Sequence, residues 1–400
     1  MDDVSEMDML HPEDFNGSDN EDTRSELKFD PVTESLEERK KRAKIEDALH
    51  SKQTTLSVWR KLAIEEYGLV NDDLRRQVWP LLLEVDPNGS EKVPSLRDLS
   101  DHAEYNQVVL DVNRSLKRFP PGIPYKQRLA LQDQLTVLIL RVIMKYPNLR
   151  YYQGYHDVAI TFLLVVGEAV SFRIMERLST DHLEECMEAT MEKTSYRLNY
   201  IYPLIKRVDK QLHDRLDNAM LGTMFALPWY LTWFGHSLNQ YRDVVRLYDF
   251  FLASDKLMPL YVAAALVLER KVEIFECDAD MAMIHCLLST IPDNLNFEHV
   301  LHRASEMYQS YPPEKVEKDV KKRVKEEADR RRQDELRARN RLNRKKHGWV
   351  NLYNYMPQWL MLHYRNKYGI LFATATLVVA YLAYMKASEA SSLWRSIWGS

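Results

Sequence analysis

The sequence predicts an all-α fold, on three observations. Between Thr55 and Tyr308 apolar residues recur at helical spacing, as in Leu129, Leu131, Leu135, Leu138, Ile139 and Val142 between Pro124 and Pro147. Two more such runs are Tyr241 to Leu252 and Leu260 to Phe275, the latter just after Pro259. The apolar/polar alternation that marks strands is sparse. Prolines and short polar breaks separate the runs: Phe119-Pro120-Pro121-Gly122-Ile123-Pro124, Tyr146-Pro147-Asn148 and Ile291-Pro292-Asp293-Asn294. Such breaks stop helices and turn the chain. The region is roughly 250 residues, near the upper size for one core.

From the N-terminus, residues 1–54 are predicted to be an acidic, mostly disordered tail. Nine acidic residues, Asp2 to Asp22, precede the first basic one, Arg24. Too little apolar surface is present there to offset the entropy of ordering. Leu36 to Leu49 is expected as a charged, transient helix. The helical domain is assigned to 55–308. The apolar stretch Met220 to Leu238 lies inside it, interrupted by Pro228, Gly235 and His236, and is expected to be core rather than a span.

A basic, charged helix or linker follows at 314–347. Lys315 to Lys346 carries fifteen Lys/Arg against seven Asp/Glu, and only Val316, Val320 and Val324 form an apolar stripe. A helix charged nearly all round is expected to be solvated and laced with i,i+4 pairs. Residues 348–367 contain Trp349, Tyr353, Tyr355, Trp359 and Tyr364, the ring types that collect at membrane interfaces. Tyr368 to Met385 is an uncharged run flanked by Arg365, Lys367 and Lys386. As a helix it would be ~27 Å long, matching a thin bilayer. A transmembrane tail anchor at 368–385 is therefore expected. The positive stretch before it puts the helical domain on the cytosolic side. A single span and a re-entrant hairpin both accommodate this length.

Composition excludes several functions. A net charge of −4 gives no global field for nucleic acid. Glycine is scarce, at 11 residues, and neither G-x-G-x-x-G nor G-x-x-x-x-G-K occurs, so the usual phosphate cradles are missing. The cysteines Cys186, Cys277 and Cys286 have no C-x-x-C spacing, which fits a reducing, cytosolic setting. His102 and Glu104 form a His-x-Glu string without a P-C-x-x-C partner, so no metal site is expected. The acidic start lacks an apolar signal-peptide segment.

Two strings carry the chemistry: Val108-Val109-Leu110-Asp111-Val112-Asn113-Arg114 and Tyr151-Tyr152-Gln153-Gly154-Tyr155. Val108, Asp111 and Arg114 are spaced by three and share one side of a helix. Asp111 is placed to hold the Arg114 guanidinium or the neighbouring loop. Gln153 falls at a junction between two buried helices, with Tyr151, Tyr152 and Tyr155 as braces. Arginine is a permanently charged donor fork for phosphate oxygens. A glutamine amide both accepts from and donates to a water. GTPases are slow because developing phosphate charge is uncompensated and the attacking water is poorly held. A chain that supplies both residues but has no nucleotide loop looks built to complete another protein's active site.

The same residues resemble the TBC-domain family, the GTPase-activating proteins for Rab GTPases. The R-x-x-x-W signature is Arg75 and Trp79. The I-x-x-D-x-x-R signature is Val108, Asp111 and Arg114, with valine for isoleucine. The Y-x-Q signature is Tyr151 and Gln153, and Arg246-Leu247-Tyr248-Asp249-Phe250-Phe251-Leu252 also fits. The string from Tyr151 to Asp157 departs from the commoner family form, which has a Cys and a Met nearby, and suggests a distinct subfamily. The resemblance implies a multi-helical TBC fold with Arg114 as arginine finger and Gln153 as glutamine finger. Asp111 and Tyr151 would support them, and Arg75 and Trp79 would be structural supports that fix the N-terminal part of the domain. It further implies no cofactor of the chain's own, GTP and Mg being bound by the partner Rab in its GTP form. The chain would be an activator rather than an enzyme with its own substrate chemistry. An endoplasmic reticulum or early Golgi membrane is the expected location. Alternatives are an inactive Rab-binding scaffold and a structural membrane tether.

Overall fold

The structure, a computed structural model, describes residues 28–29, 33–51, 53–89 and 92–355, together with Leu377. The fold is helical throughout. Among the described residues there is no strand, only an isolated bridge between Lys28 and Gln240. Two compact units are present, the first ending at Val324 and the second beginning at Lys325.

Two helices that are buried on nearly every side form the centre of the first unit. Met258–Glu269 is buried from Met258 to Leu268. Tyr155–Val166 is buried except at Leu164. Amphipathic helices cover them: Ile201–Val208 and Phe297–Ser310 pack on the first, Asp72–Leu82 and Glu168–Ser179 on the second. The periodic run after Pro124 is the Tyr125–Lys145 helix, and Tyr241–Leu252 is helical over the expected residues. The Leu260 to Phe275 run divides at Arg270 into Met258–Glu269 and Lys271–Glu276. Arg270 turns inward there and donates to the carbonyls of Leu287 (2.7 Å) and Thr290 (2.6 Å). Within Met220 to Leu238, Phe225, Trp229, Trp233 and Phe234 are buried in the core, while Met220 and Met224 are exposed.

A single carboxylate ties the ends of this domain together. Asp249, fully buried in Tyr241–Leu252, accepts from Arg75 Nη2 at 3.1 Å, Trp79 Nε1 at 2.8 Å and the Leu69 amide at 3.0 Å. Arg75 also pairs with Asp72 at 2.9 Å, and Tyr241 Oη donates to the other Asp72 oxygen at 2.8 Å. One turn before Asp249, Arg246 holds Glu298 (2.6 Å) and the carbonyls of Ala63, Ile64 and Glu65.

Both expected domain edges move outward. Leu36–His50 is not a transient helix in a loose tail. It begins with a capping box between Ser35 and Glu38, buries Ile45 completely, and sends Lys41 and Lys44 to Glu65 at 2.9 and 2.7 Å. Residues 1–27 lie outside the described residues. At the other end, the 314–347 segment belongs to one helix, Pro313–Tyr355. Its first turns are docked rather than solvated. Val316 and Val320 are fully buried, and Glu317 accepts from the hydroxyls of Tyr196 (2.7 Å) and Tyr200. The stripe of Val316, Val320 and Val324 is the docking seam, so the first unit extends sixteen residues past Tyr308. From Ala328 to Arg341 every residue is exposed, as expected for the charged face. Among the described residues no helix is long and apolar enough to cross a membrane. The expected anchor Tyr368 to Met385 lies outside them apart from Leu377, and 348–367 lies outside them after Tyr355.

Removing a buried counter-charge leaves its partner uncompensated, at a cost of about 3–5 kcal/mol. Asp249→Ala should therefore lower unfolding free energy by about 3–5 kcal/mol in urea titration at pH 7. A loss under about 1 kcal/mol would mean that Arg75 finds water instead.

Candidate functional site

Arg114 is the last residue of the Tyr105–Arg114 helix. Val108, Asp111 and Val112 on this helix are buried, while Asn106, Gln107, Leu110, Asn113 and Arg114 form its exposed ridge. The chain beyond Arg114 is fixed. Ser115 Oγ caps the Val112 carbonyl at 2.6 Å, Phe119 is buried, and the proline turn is clipped by Arg128 to the carbonyls of Ile123 (3.2 Å) and Pro120 (3.3 Å). Arg118 donates to the carbonyls of Leu238 (2.9 Å) and His236. The arginine thus stands on a rigid base with a free tip. Its side chain is 66% exposed, and its ion pair with Asp111 is 3.5 Å long. So long and exposed a pair contributes only ~0–1 kcal/mol, so the guanidinium can leave it for a phosphate at little cost.

Asp111 is only 1% exposed and joins the two strings. Its Oδ2 accepts from Tyr151 Oη at 3.0 Å and from Gln107 Nε2 at 3.1 Å. The Tyr151 amide in turn donates to Glu104 at 3.2 Å. Burial, with Asp111 alongside, pushes the Tyr151 hydroxyl far above its ordinary pKa, so it remains a proton donor. One carboxylate thus contacts both Arg114 and Tyr151.

Gln153 is exposed, and its amide has no hydrogen-bond partner among the described residues. Its neighbours are locked. Tyr152 is buried and donates to the Leu231 carbonyl at 2.8 Å. Tyr155 presents its ring edge-on to Tyr151 and Tyr152, with centroids 6.3 and 5.7 Å away, and its hydroxyl meets Ser179 at 2.7 Å. Gly154 has φ +112°, and a Cβ there would lie 2.8 Å from Thr232 Cγ2. Only glycine combines that backbone with that approach.

Arg114 and Tyr151 both contact Asp111, and Gln153 stands two residues after Tyr151 in the same turn. Arg75 and Trp79 do not reach these residues; both are buried on Asp249 and serve the fold. Glu104, His156, Asp157 and His236 lie around Tyr151 without being expected there from the sequence, and the role of Asp249 was likewise not expected. The Asp249 role had a signal, since a buried arginine requires a carboxylate and Asp249 stands in a family-like string. No cluster of three metal-ligating side chains occurs among the described residues.

Comparison with known proteins shows the family to which this all-helical domain belongs. The Rab-GTPase-TBC domain model matches residues 72–275, and the chain belongs to that family. It is 47% identical to the Homo sapiens protein TBC1 domain family member 20 over 284 residues, 70% of each chain. It is 32% identical over 259 residues to the GTPase-activating protein gyp10 of Schizosaccharomyces pombe, covering 63% of this chain and 68% of that one. The crystal structure of the Ypt/Rab-GAP domain of Gyp1p shares the fold, at TM-score 0.55 and 16% identity, over 68% of this chain and 97% of that one.

Gly154→Ala should lower stability by about 1–3 kcal/mol through backbone strain, with the close approach to Thr232 Cγ2 adding to the loss. Adding Thr232→Ser removes the clashing methyl and should recover part of that loss, as read by thermal melting. No recovery would locate the whole cost in the backbone.

Proposed function

We propose that the chain accelerates GTP hydrolysis on a Rab GTPase in trans by two fingers. Arg114 offsets charge developing on the γ-phosphate and leaving oxygens. Gln153 orients the attacking water in place of the glutamine that the Rab carries. The observation that carries this is the contrast between rigid bases and free tips, both bases meeting at Asp111. Family membership supports the Rab as partner. GTP and Mg arrive with the Rab, as the chain has no phosphate cradle of its own. An arginine finger is worth ~10³–10⁵ in rate, or roughly 4–7 kcal/mol of barrier.

The chain is further proposed to work on the surface where its partner resides. Tyr368 to Met385 would anchor it, on an endoplasmic reticulum or early Golgi membrane, with the helical domain in the cytosol. The composition of that run supports the reading. Confinement to one membrane raises effective concentration without any new contact.

In single-turnover hydrolysis on a panel of GTP-loaded Rabs, the chain should accelerate one or a few of them. Arg114→Ala should remove ~10³-fold or more of that acceleration, and Gln153→Ala most of it. An Arg114→Ala variant as active as wild type overturns the mechanism. A panel in which Rabs bind but none is accelerated would make the chain a scaffold. For the anchor, the full chain should remain with membranes after alkaline carbonate extraction, and a chain ending at Lys367 should be released. Release of both would exclude a span.

A further inference from the structure

Tyr151 Oη lies 3.0 Å from Asp111 Oδ2 and 2.9 Å from His156 Nδ1. The hydroxyl has one proton and two claimants. A carboxylate, which only accepts, takes it in preference to an imidazole nitrogen that can itself donate. Nδ1 of His156 therefore carries a hydrogen and donates to Tyr151. The opposite ring nitrogen, Nε2, faces Asp157 Oδ1 at 3.7 Å. Asp157 is buried, and its other oxygen lies 3.0 Å from His236 Nδ1. Burial raises the Asp157 carboxyl, but His236, His156 and Arg118 together outweigh it and hold the group below the usual carboxylate range. Polar contacts thus run from Arg114 through Asp111 and Tyr151 to His156, and separately from Asp157 to His236, and the backbone joins the two sets because His156 and Asp157 are consecutive.

The His236 end of these contacts sits in the turn beneath Gln153. Tyr152 bonds the Leu231 carbonyl, Gly154 packs on Thr232, and the His236 amide donates to Thr232 Oγ1 at 3.2 Å. In this turn Trp233 and Phe234 hold φ of +47° and +63° although neither is glycine. Left-handed backbone is strained for any residue but glycine, and burial of both rings holds it. The Trp233 ring packs edge-on against Tyr248 and Phe251, at 5.4 and 5.5 Å.

We infer that His156, with His236 across Asp157, is a positioning residue that locks the arginine base and the glutamine loop into one unit. Neither imidazole touches the nucleotide; both act through Tyr151 and the turn. The inference rests on the finger assignment of Arg114 and Gln153.

The test is single-turnover hydrolysis by the full chain on its responsive Rab, resolving the rate at saturating activator from the half-saturating concentration. His156→Leu should lower the saturating rate by about 10–10²-fold, the scale of a small misplacement of reacting groups. Half-saturation should stay within about twofold, because the exposed surface is unchanged. His156→Asn keeps a donor toward Tyr151 and should recover most of the rate. In a Tyr151→Phe background His156→Leu should add nothing, because its path to Asp111 is already cut. An unchanged saturating rate overturns the inference. So does an equal loss in the Tyr151→Phe background, or a change confined to half-saturation. If His156→Leu melts well below wild type, His236→Leu replaces it at the partly exposed end, with a reduced saturating rate expected and an unchanged one overturning the inference. Arg114→Ala separates the two levels. Inactive Arg114→Ala with fully active His156→Leu sinks only the positioning role, whereas active Arg114→Ala sinks the fingers themselves.

Discussion

The buried carboxylate of Asp249 is the contact on which the rest of the domain depends. It satisfies Arg75, Trp79 and the Leu69 amide at once, and so binds the start of the domain to a helix some 170 residues further on. A guanidinium with no access to water is strongly destabilising unless a charge faces it, and no apolar residue could replace Asp249 alone. The cost of desolvating the pair is met by geometry, since three donors converge on two oxygens. The helices that carry the site stack on this frame: Asp72–Leu82, which holds Arg75 and Trp79, packs directly on Tyr155–Val166, the helix that follows Gln153.

Asp111 repeats the arrangement on a smaller scale and for a different end. There, too, a carboxylate nearly out of contact with water gathers donors from distant segments. The difference lies in what is left loose. Around Asp249 every donor is buried, so nothing moves. Around Asp111 the tyrosine is held while the arginine is exposed on a long, weak pair. The outcome is a surface whose side-chain tips are exposed while their backbone is held, and any reorganisation that a bound transition state would demand is confined to those tips.

Much of this was legible in the sequence because the information is local. Helical periodicity and prolines gave the helices at Tyr125–Lys145 and Tyr241–Leu252, and the R-x-x-x-W, D-x-x-R and Y-x-Q spacings gave Arg114 and Gln153 their setting. What was not legible is non-local. The stripe of Val316, Val320 and Val324 is three residues in a field of charge. Only the docked position of its helix, with Tyr196 and Tyr200 on Glu317, shows that it closes the core. Lys41 and Lys44 similarly read as surface charges until Glu65 is brought opposite them. His156 and His236 are 80 positions apart, and nothing in either neighbourhood reveals that they flank the same carboxylate.

The central claim is that Arg114 and Gln153 recognise the transition state of GTP hydrolysis rather than the GTPase surface alone. Its most direct measurement is the affinity of the chain for a responsive Rab loaded with GDP, with and without aluminium fluoride. The fluoride complex mimics the transferring phosphoryl group, and a catalyst binds such mimics far more tightly than ground states, by at least ~10²-fold. A gain of that size, lost in both Arg114→Ala and Gln153→Ala, is the expected result. Equal affinity with and without fluoride would contradict the claim and leave only a surface that binds.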